Sequence, residues 1–440
     1  MRANVLRGWL LAVFCLPVAV SAAEIQRWQA ADGAQVLLSE RHELPIVDVA
    51  VIFKGAGSAA DPAGKDNTAS AAAQMVMRGT PSLNEEAFAA RVNDLGANLS
   101  GSASLEYATF GFRSLSEPAK LNGALTLFKE ALAQPRFDEN VLQRIKDRAA
   151  LALKQSESYP DFVADRALTA LNYPDHPYGK SARQTPEKIQ AVSSADLREF
   201  HRRHYARNNA VVLVVGDVGR ERAGQLADEI LAVLPARVSG SSEVPPVNVK
   251  GGQFRHIPFP HSQQTQINLG LPVLKADDPD YFAMLVGNYI LGGGGFDSRL
   301  MKVLRDRHGY TYGASSSLSA YGQAAPFTIE FGTENKNSRA ALAAAQKVLA
   351  DFVAQGPQED ELKQAKAYLT GSFPLRFDTN AKMIGNLASV AVYNRPDNWF
   401  DTFNDKINAL SAADIKRAWQ KHIRPQDMNI VVTGGEPFKP

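Results

Sequence analysis

The sequence predicts an α+β fold built from two similar domains, each a mainly antiparallel sheet packed with helices in an α/β-sandwich-like arrangement. Three observations carry that expectation. At 440 residues the chain is longer than one core ordinarily serves, and a Ser-, Pro- and Gly-rich stretch at 236–253 divides it. The pattern before that stretch recurs after it. Ser193, Asp196 and His204 precede an apolar run at 210–215, while Ser411, Asp414 and His422 precede another at 428–433. Each pair is 218 positions apart, as are Gly216 and Gly434, which marks an internal duplication. Finally, strand runs alternate with helical stripes in both halves. The expected organisation is a leader at 1–23, a first domain at 24–235, a linker at 236–253 that allows a hinge, and a second domain at 254–440.

The elements follow in order. Residues 34–39 and 46–53 read as strands, the second rich in β-branched side chains (Ile46, Val47, Val49, Val51). Gly55, Gly57 and Gly64 mark a loop. The alanine-rich run Thr68 to Arg78, stopped by Gly79, reads as a helix. Ser82 and Glu85 have capping-box spacing for a helix running to Leu95. Residues 97–115 alternate as strand, Leu121, Leu125, Phe128 and Leu132 form a helical stripe, and 138–156 is a further helix. Thr185-Pro186 starts a short helix. Ser193 to Tyr205 is the next, before the buried strand at 210–215.

Composition narrows the class. With 45% hydrophobic and 21% charged residues, the chain is globular rather than disordered. The leader MRANVLRGWLLAVFCLPVAVSAA has a basic start, a short apolar run and small residues at its end, the form of a secretory signal cleaved after Ala23. A periplasmic location is therefore expected. Arg2 and Arg7 lie in that leader, so the 48 basic residues fall to 46 in the mature chain, equal to the acidic count. Neutrality gives no electrostatic case for nucleic acid. The one cysteine, Cys15, is also in the leader, which removes disulfides, thiolate metal sites and a cysteine nucleophile. No later run has the roughly 18 apolar residues that a membrane span needs.

The most distinctive stretch is Leu291 to Leu318. Gly292, Gly293, Gly294 and Gly295 are read as loop, since glycine loses the most backbone freedom on ordering. Leu300, Val303 and Leu304 then recur at helical spacing among basic residues, Gly309 breaks the helix, and Tyr310, Tyr312 and Ser315–Ser317 alternate like a strand. That turn can bring Arg305 and Tyr312 side by side on one surface. His201 and His204, flanking Arg202 and Arg203, are read as a solvated helix face rather than metal ligands. His256 and His261 are read as loop residues. The chain has no phosphate-binding G-x-x-x-x-G-K-[ST] and no G-x-S-x-G nucleophile elbow, and the four glycines lack dinucleotide-fingerprint spacing.

Four segments together resemble one family. They are Met77-Arg78-Gly79-Thr80 at a helix end, Asp175-His176-Pro177-Tyr178-Gly179, the strand entering Gly216-Asp217, and Ser298–Gly313, SRLMKVLRDRHGYTYG. Over about residues 24–438 the chain resembles the pitrilysin/insulinase-type zinc peptidases, in particular their short bacterial members and the mitochondrial processing peptidase subunits. The resemblance implies a chain forming half of a clamshell. It also implies an inverted zinc motif, H-x-x-E-H, on the helix ending at Gly79-Thr80. Two histidines four apart on a helix share one metal, and the glutamate serves as general base. Here those positions are Ser70, Ala73 and Gln74, and the third ligand, counted back from Pro160, falls at Ala152. None can hold zinc as the family does.

The resemblance also implies that Arg305 and Tyr312 contact substrate near the scissile carbonyl, beside a flexible glycine lip. The expected function is a zinc-free subunit of a periplasmic heterodimeric metallopeptidase. A homologous partner would carry H-x-x-E-H and the zinc, and this chain would need no cofactor of its own. Its substrates would be extended peptides or unfolded segments. A structural or peptide-binding protein of the same fold is the alternative, and a peptidase with a nonstandard metal site a third.

Overall fold

A computed structural model describes residues 25–437 apart from 32, 239–242 and 397, so the expected leader at 1–23 lies outside the described residues. Strands β1 (Ile25–Gln29), β2 (Gln35–Glu40), β3 (Ile46–Lys54), β4 (Asn98–Ala103), β5 (Tyr107–Leu115) and β6 (Ala210–Gly216) form one sheet in the order β1-β2-β6-β3-β5-β4. Strands β7 (Phe254–Ile257), β8 (Gln264–Leu274), β9 (Ala314–Leu318), β10 (Ala325–Glu334) and β11 (Asn429–Thr433) form a second, β7-β11-β8-β10-β9. Without β1 the two orders are the same. Each sheet has one parallel pair, β2 with β6 and β7 with β11, and is otherwise antiparallel. The register repeats too: Val49 faces Val214 and Phe112, and Ile267 faces Val432 and Phe331.

The duplication extends to hydrogen bonds. Asp196 accepts the Ser193 N–H at 2.9 Å, and Asp414 accepts that of Ser411 at 2.9 Å, so both equivalent helices open on a capping box. The next equivalent pair on these helices is His201 and Trp419. Trp419 fills the second core edge-on to Phe327 and Phe352. His201 is its counterpart, packed against Phe137 and Tyr205 with Nε2 2.8 Å from the Leu132 carbonyl oxygen. The solvated face expected for His201 and His204 is therefore incorrect. His204 stacks on Phe200, and burial lowers the pKa of both imidazoles. His256 is also no loop residue: it lies in β7 opposite Val432.

The two domains interlock. Helix Pro160–Asn172 of the first packs on β8 and β11 of the second, and helix Asn380–Val392 packs back on β3 and β6. Both faces of each sheet are thus covered, which is why β6 reads as an unbroken apolar run, AVVLVVG. Leu37, Ile52, Val211 and Leu213 share one core with Met383 and Leu387 of the exchanged helix, while Val36, Val49 and Val212 face their own domain's helices. Each exchanged helix ends at a tyrosine. Tyr173 Oη donates to the Ala324 carbonyl (2.9 Å) at the β9–β10 hairpin, and Tyr393 Oη to Glu106 (3.0 Å) at the β4–β5 hairpin. Glu106 also accepts from Tyr178 Oη and from the Gly322 N–H. The linker is strapped to both domains: His176 Nε2 is 2.8 Å from the Pro245 carbonyl oxygen, and Gln323 Nε2 donates to that of Val244 (3.0 Å). The exchanged helices thus join the two domains alongside the linker.

Local expectations shift in two places. Residues 97–115 are a hairpin of two strands turning at 104–106. Helix Glu85–Asp94 is capped by Asn84, whose side chain accepts from the Ala87 N–H, while the Ser82 hydroxyl donates to Glu130. Among the described residues no helix is long and apolar enough to cross a membrane.

Candidate functional site

Helix Thr68–Val76 carries the inverted-motif positions. Asp61 holds its first turn, accepting the N–H groups of Asn67 (2.8 Å) and Ala69 (2.7 Å). Its other side is pressed onto edge strand β4, where a Cβ on Gly101 would lie 2.1 Å from the Ala73 carbonyl oxygen. Ala73 is wholly buried. Ser70 and Gln74 face the same side one turn apart, with Gln74 Nε2 3.3 Å from Ser70 Oγ. The geometry that would bring two imidazoles together is intact, but it now joins an amide to a hydroxyl. On helix Glu139–Ser156, which packs on this one, Leu142, Ile145 and Leu153 mark the inward stripe. Ala152, the expected third-ligand position, is exposed; the half-buried Ala149 lies on the stripe and is the position from which a side chain would face the metal helix. Hydroxyl, amide and methyl groups do not fit a tetrahedral zinc.

Among the described residues one cluster has metal-binding spacing, Asp278, Asp280 and His422. Lys421 Nζ already sits 2.6 Å from Asp280 there. Beside the degenerate helix, a cleft of about 360 Å³ opens between Gln74, Met77, Phe88 and Val92 on one side and Leu99 and Ser100 of β4 on the other.

Asp61 makes this helix start sensitive to pH. Burial pushes its carboxyl up to about 7, against the two amide donors and Lys180. An unfolded aspartate titrates at about 3.9. Between these values the folded chain keeps a proton that the unfolded chain has lost. This group's stabilisation is therefore full below about pH 4, falls as pH rises toward 7, and is level above. Asp61→Asn is expected to flatten that decline in urea midpoints measured from pH 4 to 8. An unchanged slope would count against it.

The second-domain stretch differs from expectation at the glycines. Helix Tyr281–Asn288 runs on as a wider π-type turn, Tyr289–Gly293, so Gly292 and Gly293 are helical. Close packing requires the first: a Cβ on Gly292 would lie 2.5 Å from the Ser316 nitrogen, whereas one on Gly293 would meet the Asn288 side-chain amide at 2.9 Å. A second wide turn, Met301–Arg307, carries Arg305, and the strand starts at Ala314, so Tyr310 and Tyr312 lie in the connecting turn. Tyr310 stacks on His308 and its carbonyl accepts from Thr333 Oγ1 at 2.6 Å. This anchors the turn from which Tyr312 projects, 91% exposed. The Arg305 guanidinium lies 4.7 Å above the Phe296 ring and 3.9 Å from Asp306. Arg305 and Tyr312 share the turn region but make no hydrogen bond or ring contact with one another. The neighbouring Arg299 is structural, gripping Glu361 at 2.8 and 2.6 Å.

One feature was not legible in the sequence. Between helix Pro160–Asn172 and the second sheet lies a cavity of about 390 Å³ lined by Asp165, Glu330 and Tyr173, Tyr178 and Tyr321. Burial raises the pKa of both carboxyls; the charge of Asp161 adds to each, and that of Asp165 adds to Glu330. By register and helix position, Asp161, Asp165 and Glu330 correspond to Ala381, Gly385 and Gly111 in the other domain. The fold is built once without these charges, so packing does not demand them. The i,i+4 acidic pair on the helix was the available signal.

Two fused copies of one α+β unit, with a metal helix stripped of its donors in the first and an arginine–tyrosine turn in the second, define a degenerate two-domain zinc-peptidase fold. The chain belongs to the insulinase family, peptidase family M16. Residues 35–186 match the model described as Insulinase (Peptidase family M16), and 191–369 match Peptidase M16 inactive domain. A crystal structure of a peptidase M16 inactive domain from Pseudomonas fluorescens is 32% identical, covering 95% of this chain and 99% of that one, with a TM-score of 0.89. The non-peptidase homolog YmxG of Helicobacter pylori is 26% identical over 91% of this chain and 92% of its own length. The periplasmic protease PqqL of Escherichia coli shares the fold at 14% identity and TM-score 0.80, with 99% of this chain matched to 49% of that longer one.

Proposed function

We propose that this chain is the zinc-free subunit of a periplasmic, two-chain metallopeptidase, with a homologous partner that carries H-x-x-E-H and the zinc. One observation carries the reading: the helix bearing the inverted-motif positions is held in place by Asp61 and β4 but offers Ser70, Ala73 and Gln74 where zinc ligands and base would stand, while Arg305 and Tyr312 stay exposed. A site that keeps its substrate groups and lacks its metal needs a second chain. Relatives described as an inactive domain and a non-peptidase homolog fit a chain inert alone, and the half-length match to PqqL fits one half of a clamshell. The leader supports the periplasm.

An extended peptide would add a strand to a sheet edge, leaving selection to side-chain pockets. Arg305 would fork onto a carbonyl and Tyr312 donate to the developing oxyanion. The carboxylates Asp165 and Glu330 would favour basic side chains. The reading is tested by capturing partners with the tagged mature chain and measuring metal in the assembled pair. One zinc per pair, all of it in the partner, supports it. Assembly with no H-x-x-E-H protein would make the chain a scaffold or peptide-binding protein.

The degenerate helix makes its own prediction. Combining Ser70→His, Ala73→Glu, Gln74→His and Ala149→Glu is expected to create a site binding one zinc per chain by mass spectrometry of the native protein, where the parent binds none. Stoichiometric zinc in the parent would contradict the proposal.

A further inference from the structure

Resting on the substrate-facing role given to Arg305, we propose that Phe296 is its positioning residue, orienting the guanidinium through the face of the ring while leaving its N–H groups free. Phe296 is 68% exposed, and among the described residues its ring contact is with Arg305, at 4.7 Å. The turn that presents it is fixed on both sides. The Gly294 N–H donates to the Tyr289 carbonyl at 2.7 Å, and a Cβ on Gly294 would lie 2.8 Å from that oxygen. Gly295 adopts φ +62°, a conformation that favours glycine, and the Ser298 N–H returns to its carbonyl at 3.1 Å. In this geometry the expected glycine lip carries Phe296 at its end.

Arg299 is the comparison. It also lies over a ring, Phe352 at 4.9 Å, but Glu361 and the Gly356 carbonyl occupy its in-plane donors. Among the described residues the ionic contact of Arg305 is the loose one to Asp306 at 3.9 Å. A ring beneath the guanidinium plane restricts its torsions without using its in-plane donors. Both guanidiniums thus lie over a ring, and what sets Arg305 apart is that, among the described residues, no carboxylate or carbonyl meets its in-plane donors within hydrogen-bond distance.

The test compares Phe296→Leu, Phe296→Tyr and Arg305→Ala. In the isolated chain, the Arg305 side-chain NMR signals should lose their ring-current shift in Phe296→Leu and keep it in Phe296→Tyr. In the assembled enzyme, with a quenched fluorescent peptide library as probe, Phe296→Leu should lower kcat about two- to fivefold, restored by Phe296→Tyr. If Arg305→Ala impairs turnover but Phe296→Leu does not, the positioning role is wrong and the split site stands. If Arg305→Ala costs nothing, the split site itself fails. Unchanged Arg305 signals in Phe296→Leu would also overturn the positioning role.

Discussion

In the proposed two-chain peptidase, Arg305→Ala is expected to lower kcat about a hundredfold while leaving assembly intact, with Tyr312→Phe costing about tenfold. The size follows from what the groups would do. Donors aimed at charge that develops in the transition state are worth far more in a closed site than in water. The structural cost of either change is small. Tyr312 is exposed, so removing its hydroxyl leaves no buried orphan. Arg305 has one loose ionic contact and one ring contact, so alanine leaves no cavity. Steady-state kinetics of the reconstituted pair, beside sedimentation to confirm assembly, give both quantities. Loss of turnover through loss of assembly would reassign both residues to the subunit interface.

The largest stability effect is expected at Trp419. Trp419→Ala should destabilise the chain by about 3–5 kcal/mol, read by urea unfolding. The indole is fully buried, meets Phe352 edge-on at 4.6 Å and Phe327 at 5.3 Å, and lies so close to Gly287 that a Cβ there would be 2.0 Å from Nε1. It pins the helix Ala412–His422 to the helix Tyr281–Asn288, from which the wide turn at Tyr289–Gly293 continues. A cost under 1 kcal/mol would mean that this core repacks around the space.

The sequence revealed much of this architecture because duplication leaves local marks. The Ser–Asp capping boxes and the buried strands after them were readable from spacing, and both recur in three dimensions. The degenerate metal helix was equally plain, since absent donors are visible without coordinates. Non-local features were not. Nothing within residues 160–172 states that this helix packs on the other domain's sheet. His201 looked solvated beside Arg202 and Arg203 because its partners, Phe137 and the Leu132 carbonyl, lie more than sixty positions away. The glycine run looked flexible because close contact with Ser316 and an intrinsic loop have the same composition.

The central claim is that this chain contributes substrate-facing groups to a metal site it does not own. The most direct test is the rate of peptide-library cleavage by the mature chain alone, by its H-x-x-E-H partner alone, and by the two mixed. The account predicts no cleavage by this chain, little by the partner, and chelator-sensitive cleavage by the mixture that rises to saturation at equal amounts. A partner as active alone as in the mixture, or chelator-sensitive cleavage by this chain unaided, would contradict it.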